Sequence, residues 1–173
     1  MPDQPVVRTA TATEYDAVGE LTLQAYLADD LLSDDPDAAA YSEELRDAAR
    51  RATEAELLVA VDDGDELLGT VTFCLPGTPF AELARPGEAE FRMLAVAPTG
   101  RRRGAGRALV LACLDRAHAA GARAVVISSL ATMTAAHALY HGMGFRRAVD
   151  RDWRPLPGVE LRAYVLELGS AAS

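Results

Sequence analysis

No lysine occurs in the 173-residue chain; all 17 of its basic side chains are arginine. That absence excludes an intact Walker A loop, whose lysine must reach the terminal phosphates of a nucleotide. Cysteine is nearly lacking as well. Cys74 and Cys113 alone provide no disulfide framework, and residues Met1–Arg8 carry neither the basic nor the apolar stretch of a secretory signal, so a cytoplasmic protein is expected. No apolar run approaches the ~18–20 residues of a membrane helix, and no membrane partner is expected. Positive charge is in deficit, with 17 arginines against 26 acids for a net −9. A general nucleic-acid binder would show a basic surplus instead.

What is present suits one packed domain. Half of the residues are hydrophobic, which argues against disorder, and the length is that of a single domain. The charge is split unevenly. Residues 1–66 hold 18 acids and 4 arginines, a balance of −14, whereas residues 67–173 hold 8 acids and 13 arginines, a balance of +5. An anionic ligand therefore suits the second half and a cationic one the first.

Patterning predicts the element order β-α-α-β-β-β-α-β-α-β-β. Val6 and Val7 head a first strand, and Thr11 with Glu14 forms a capping box for a helix presenting Val18, Leu21, Ala25 and Leu27. A second helix is expected from about 38 to 53, with Tyr41, Leu45, Ala48 and Ala49 as its apolar stripe. Leu57–Val61 and Leu67–Leu75 read as a hairpin around the turn Asp62–Glu66. Pro76–Pro86 is a loop, Glu88–Val96 a strand stopped by Pro98, and Arg103–Ala120 a helix ended by Gly121. Ala124–Leu130 is a buried strand, followed by a helix from Thr132 or Thr134 to about His141. Strands at Phe145–Val149 and Leu161–Leu168 finish the chain, joined by a loop with Trp153, Pro155 and Pro157. The sum is an α/β domain: a mixed, mostly antiparallel sheet of about six to seven strands with helices on both faces. Gly169–Ser173 is expected to be a loose tail.

The densest chemical signal lies between the strand ending at Val96 and the helix that follows. Arg101, Arg102, Arg103, Gly104, Ala105, Gly106 and Arg107 place four arginines and two glycines where a helix begins. Glycine lets the backbone approach a ligand closely, and the unpaired N–H groups of a first helical turn suit an anion such as a pyrophosphate. A solvated basic turn is the plainer reading of the same residues. A dinucleotide glycine motif starting at Gly104 fails, because Leu109 stands where its last glycine is required.

Val96-x-Pro98 with Arg101-x-x-Gly104-x-Gly106 resembles motif A of the general N-acetyltransferase (GNAT) superfamily. Ala136-x-x-Leu139-Tyr140-His141-Gly142-Met143-Gly144-Phe145 is similar to that family's motif B. The resemblance extends over residues 5–168 and implies a single-domain GNAT fold with a splayed acyl-CoA-binding cleft. It implies acetyl-CoA as co-substrate and transfer of its acetyl group to a primary amine, by direct attack in a ternary complex. Leu94, Ala95 and Val96 would then bind the pantetheine arm. Arg102, Arg103, Gly104, Ala105, Gly106 and Arg107 would cradle the pyrophosphate by their main-chain N–H groups, with Arg101 beside them. Members of the family often dimerise, so a homodimer is open.

Such a transfer needs a base for the amine, a donor to the developing oxyanion and an acid for the thiolate. Tyr140 matches the family's acid, and it also suits core packing under Phe145. Glu90, six residues before Val96, would share its face by alternation and could act as base, directly or through water; pairing with Arg92 is the other reading. One departure from the family pattern stands out. Met133 occupies a position where an asparagine is usual, removing an amide contact and leaving a non-catalytic acyl-CoA-binding domain as the rival reading. His137 and His141 share a helix face at i and i+4, but no third ligand accompanies them and no metal is expected. Trp153 either anchors its loop or covers the acceptor site. The −14 balance of the first half makes a cationic amine the favoured acceptor.

Overall fold

The computed structural model describes residues 4–28, 36–156 and 159–169. Strand β1 (Val6–Thr9) leads through a short 3-10 turn into α1 (Tyr15–Ala28), then α2 (Pro36–Arg46) and α3 (Ala48–Glu54). Strands β2 (Glu56–Val61), β3 (Leu67–Cys74) and β4 (Glu88–Val96) follow, then α4 (Ala105–Ala119), β5 (Ala124–Leu130) and α5 (Thr134–Gly142). Strands β6 (Arg146–Arg147), β7 (Trp153–Leu156) and β8 (Val159–Glu167) complete the chain. They form one eight-stranded sheet in the order β1-β2-β3-β4-β5-β8-β6, with β7 also on β8.

Every pairing is antiparallel except one. Strands β4 and β5 are parallel, and α4 is the crossover that a parallel step requires. The mixed, mostly antiparallel sheet expected from the sequence is therefore present, with one strand more than expected. Its two faces are covered separately. Leu109, Val110 and Cys113 of α4 and Tyr140 of α5 pack with Ala89, Phe91, Val125 and Ile127 on one face. Leu23, Tyr26, Tyr41 and Leu45 of α1 and α2 pack with Cys74, Met93, Leu130 and Leu161 on the other.

The expected second helix is two helices. Asp47 interrupts it and caps α3, accepting the Arg50 N–H at 3.1 Å. The break lets Arg51, fully buried, reach back to the last carbonyls of α2, Glu44 O at 2.9 Å and Leu45 O at 2.7 Å. Its other terminal nitrogen meets Thr22 Oγ1 of α1 at 3.3 Å, so one guanidinium ties three helices. The buried stripe of α1 is Val18, Thr22, Leu23 and Tyr26, not the expected Leu21, Ala25 and Leu27; Leu27 is exposed. Thr22 is tolerated there because its hydroxyl donates to Val18 O at 2.8 Å.

Two further differences lie nearer the cleft. Helix α4 starts at Ala105 rather than Arg103, because Arg102 and Gly104 both take positive φ, 64° and 80°. The strand expected at Phe145–Val149 shortens to the pair Arg146–Arg147, and a strand, β7, replaces the expected loop around Trp153. Asp152 explains the change. Its carboxylate takes the Ala163 N–H of β8 at 2.7 Å and both terminal nitrogens of Arg147 at 2.6 and 2.7 Å, folding the chain back towards β8.

Candidate active site

The parallel pairing of β4 with β5 runs from Glu88 opposite Ala124 to Phe91 opposite Ile127, and stops there. Beyond it, β4 continues to Val96 and β5 to Leu130 without pairing to each other, so the two strands splay and leave a cleft. The cause is a bulge. Thr70 faces Ala95 and Thr72 faces Arg92, so Val71 alone stands opposite both Met93 and Leu94, and Met93 takes a positive φ of 57°. An extra residue bends the strand and raises its twist.

The bulge also reverses which side chains face which way. Before it, Ala89 and Phe91 point to the α4 face; after it, Leu94 and Val96 do. Glu90 and Arg92 therefore face α1 and α2, and the expectation that Glu90 shares a face with Val96 is corrected. Simple alternation counts six residues; the bulge makes the parity odd.

On the α4 face the structure brings the glycine turn, the end of β4 and α5 together. A Cβ at Gly106 would lie 3.3 Å from Leu139 Cδ2 and 3.5 Å from Val96 Cγ2, so only glycine leaves room between them. No side chain caps α4, whose N-cap is the left-handed Gly104, and the side chains of Arg101, Arg102 and Arg107 are exposed without an ion pair among the described residues. Arg103 stands 3.8 Å from Asp62. The first-turn N–H groups and unpaired arginines make an anion-attracting rim at one end of the cleft. Leu94 and Ala95 are buried and Val96 half-buried, with their β3-facing edge paired and their other edge facing the splay.

Tyr140 is buried on the same face. Its ring meets Phe91, Phe145 and Tyr164 with centroids 6.0, 5.7 and 5.9 Å away. Burial there pushes its phenol above the ordinary tyrosine range, so it stays protonated. The packing role under Phe145 and the capacity to donate a proton coexist.

Across the sheet, Glu90 is fully buried. Its Oε1 accepts the backbone N–H groups of Leu83 and Ala84 at 2.8 and 2.9 Å, while Oε2 has no hydrogen-bond partner. Burial raises its pKa, and the two N–H bonds only partly offset this. The expected pairing with Arg92 is not formed: no nitrogen–oxygen contact within ion-pair range links them, and Arg92 turns to the Phe80 carbonyl at 3.3 Å. Glu88 differs. Burial would raise its pKa, but Arg151, at 2.8 Å, outweighs it and lowers it, so Glu88 is held as a paired carboxylate. Arg151 also binds Leu83 O, and Glu88 takes the Arg85 N–H at 2.8 Å. Alternate residues of β4 thus fasten the loop of residues 80–85 over this face.

Several features of the site carry no mark in the sequence. A positive-φ methionine has no compositional signature, and the splay depends on it. Arg92 could have been singled out by its place two residues after Glu90. Trp153 packs beside Leu161 and Met133, with its indole Nε1 unpartnered. Met133 lies against that cluster as well, which accounts for an apolar side chain at its position. His137 is set by a contact of Nε2 with Leu130 O at 3.0 Å, and burial lowers its pKa. Both cysteines are buried and free; burial pushes the Cys74 thiol up to about 12 and raises that of Cys113 also.

The family model described as Acetyltransferase (GNAT) family matches residues 20–145. A search of curated proteins gives no match. Among solved structures, the chain is similar to a GCN5-related N-acetyltransferase from Kribbella flavida, with 27% identity over 97% of this chain and 100% of that one, at a TM-score of 0.67. It is similar in fold to an acetyltransferase of the GNAT family from Staphylococcus aureus Mu50, with 13% identity, 94% and 98% of the two chains covered and a TM-score of 0.72. The same holds for yncA from Salmonella typhimurium, solved with its cofactor acetyl-CoA, at 19% identity, 98% and 97% coverage and a TM-score of 0.66. The bulged, splayed β4, the glycine turn before α4 and a family match spanning most of the chain lead to one assignment: the chain belongs to the GNAT family of acetyltransferases.

Proposed function

We propose that the chain is an N-acetyltransferase that carries an acetyl group from acetyl-CoA to a primary amine, in a ternary complex. The observation that supports this most is that the splay separates two unlike faces, one with an uncapped glycine-led helix start and the other with a buried carboxylate. The residues fit the co-substrate. Gly106 leaves a gap that a Cβ would fill, the free edge of Leu94, Ala95 and Val96 can take an extended amide arm, and Arg101, Arg102, Arg103, Gly104, Ala105 and Arg107 surround the place for a diphosphate. When bound, acetyl-CoA supplies an acyl group activated as a thioester.

The chain's own residues handle protons and charge. Glu90 Oε1 is held by two N–H groups, so Oε2, unpartnered and sealed from solvent, takes the proton of the acceptor amine through a water admitted with the substrate. The Val96 N–H is the donor for charge developing on the acyl oxygen. Tyr140 gives its proton to the sulfur as the carbon–sulfur bond breaks and the carbon–nitrogen bond forms. The amine's lone pair makes the new bond, the thiolate leaves as thiol, and amide and thiol are the products. Base and acid sit on opposite faces of the sheet, with the acyl position between them. Direct attack is favoured over a covalent enzyme intermediate because both buried cysteines hold their protons too tightly to serve as nucleophiles.

The acidic first half bears on the acceptor. Glu43, Glu44 and Asp47, with Arg46 and Arg50 between them, line a depression of 590 Å³ on α2 and α3 with an acidic surplus of one, and Glu44 is near enough to act on the charge of Arg92. Attraction of an ammonium group to this side follows. A screen of acetyl-CoA turnover, read as thiol release, across small amines, amino acids and peptides tests the proposal. Amine-dependent thiol release is expected; tight CoA binding without release from any amine would establish the non-catalytic binding domain instead.

A further inference from the structure

Arg92 is a buried guanidinium without a matched partner. Its side chain is only 8% exposed, yet it makes a single hydrogen bond, to Phe80 O at 3.3 Å. The nearest carboxylate in ion-pair range among the described residues is Glu82, 3.9 Å away on a side chain that is 42% exposed. Other arginines of the chain are better engaged. Arg147 takes both oxygens of Asp152, Arg151 both oxygens of Glu88 and Arg8 both oxygens of Glu14, all at 2.6–3.0 Å. Arg51 is met by two helix carbonyls and a hydroxyl. A guanidinium presents its donors as a planar fork matched to a carboxylate, and a buried one left with a single long bond is unusual.

Its position gives that deficit a purpose. Arg92 is the first residue of β4 past the last pair with β5, so it stands at the mouth of the splay on the α1 face. The sealed, unpartnered side-chain atoms are Arg51 Nε, Thr72 Oγ1, Glu90 Oε2, Ser129 Oγ and Trp153 Nε1; no nitrogen of Arg92 is among them, so its remaining N–H groups open onto accessible space. Glu90 lies two residues back on the same face, ~7 Å along the strand. An unfilled cationic fork at the mouth and the unpaired carboxylate charge buried behind it, one residue pair apart, match a molecule carrying a carboxylate and an ammonium on neighbouring atoms. Glu44 and Glu82, the other acids acting on Arg92, favour the ammonium end and disfavour a simple anion.

We infer that the acceptor is a free amino acid, or another amine with a carboxylate close to its nitrogen, and that Arg92 binds that carboxylate. This rests on the N-acetyltransferase reading above and narrows it, setting aside protein lysines and simple amines. The test compares kcat/KM for free L-amino acids with that for their amides and decarboxylated amines, in the wild type, in Arg92→Met and in Arg92→Lys. Calorimetric titration of the same amino acids into the enzyme–CoA complex runs alongside.

The wild type is expected to prefer free acids by about 100-fold, mainly through KM, because a site built for a polar group rejects analogues lacking it. Arg92→Met should bring the ratio near one and abolish the calorimetric signal, with Arg92→Lys between the two. Should Arg92→Met fail to fold, the lysine variant carries the comparison, since it keeps the charge but not the fork. Amides or simple amines used as well as free acids, or a ratio unchanged in either folded variant, overturn the inference while leaving N-acetylation standing. No thiol release from any amine removes both.

Discussion

The two faces of the central sheet are built from different materials. The face under α4 and α5 is apolar: none of the buried charged residues among the described ones lies on it, and its polar groups include backbone N–H groups and the hydroxyls of Tyr140 and Tyr164. The face under α1–α3 holds the four charged residues buried as a whole among the described residues, Arg51, Glu88, Glu90 and Arg92. Burying a charge is costly unless it is paired, so such groups persist where something offsets the cost. Glu88 and both terminal nitrogens of Arg51 are engaged in holding loops and helices. Glu90 and Arg92 are only partly so. The difference separates two kinds of resource: one face offers shape and backbone, the other ionisable side chains, and the proposed function assigns the first to the donor and the second to the acceptor.

The sharpest way to break this division is to neutralise each face in turn. Glu90→Gln should lower kcat by about 10²–10⁴-fold with CoA affinity unchanged, since a positioned base contributes on that scale. Because burial raises the Glu90 pKa, wild-type activity should rise with pH through a value above the usual carboxylate range, and that acidic limb should vanish in the variant. Tyr140→Phe should also lower kcat by about 10²-fold while sparing CoA binding. Unchanged turnover in either variant, measured with two or more amines, removes that residue from the mechanism.

A smaller effect is expected at the donor rim. Gly106→Leu should weaken CoA binding about 10–100-fold by calorimetry, because the new side chain meets Leu139 and Val96 and fills the gap. Wild-type CoA affinity in this variant would show that the gap is not where the co-substrate lies. Arg102→Ala, on an exposed side chain, should cost only a few-fold in CoA affinity and make that affinity less sensitive to salt. A salt dependence of CoA binding equal to that of the wild type would detach Arg102 from the phosphates.

The smallest effect belongs to a site on neither face. Arg8 holds the Glu14 carboxylate down to about 2, from an ordinary 4.5, with help from the Thr11 N–H. A lowered carboxylate pKa stabilises the fold fully above 4.5, and that contribution is lost as pH falls through about 2. Glu14→Gln should therefore cost about 1 kcal/mol at neutral pH, converge with the wild type in strong acid, and leave kcat/KM alone. A denaturation series over pH reads this directly.

How far the molecule could be read in advance depended on whether a feature had local chemistry. The hairpin at Asp62–Glu66 was legible because Asp62 supplies its own turn, accepting the Gly64 and Glu66 N–H groups at 2.9 Å. The turn before α4 was legible because glycine spacing marks it, although the helix starts two residues later than its arginines suggested. Asp47 was readable as a cap only after the break was seen, since alanines on both sides carry the helical pattern onward. Strand β7 was hidden by Pro155, which argues against a strand, and by the long-range bond of Asp152 to β8. The state of Glu90 and Arg92 lay beyond sequence altogether, because it depends on which backbone atoms of the loop 80–85 come to meet them.

The bulge at Met93 behaves like a shift of reading frame written into a strand. Before it, even-numbered residues face α1 and α2; after it, they face α4. Flattening the bulge with every residue kept would restore strict alternation and turn Leu94 and Val96 to the face of Glu90, exchanging the outlook of half a strand without altering any side chain. Deleting Met93 would instead leave Arg92, Leu94 and Val96 on the faces they already hold, so the one extra residue acts as a spacer that sets the parity between the two halves of the strand.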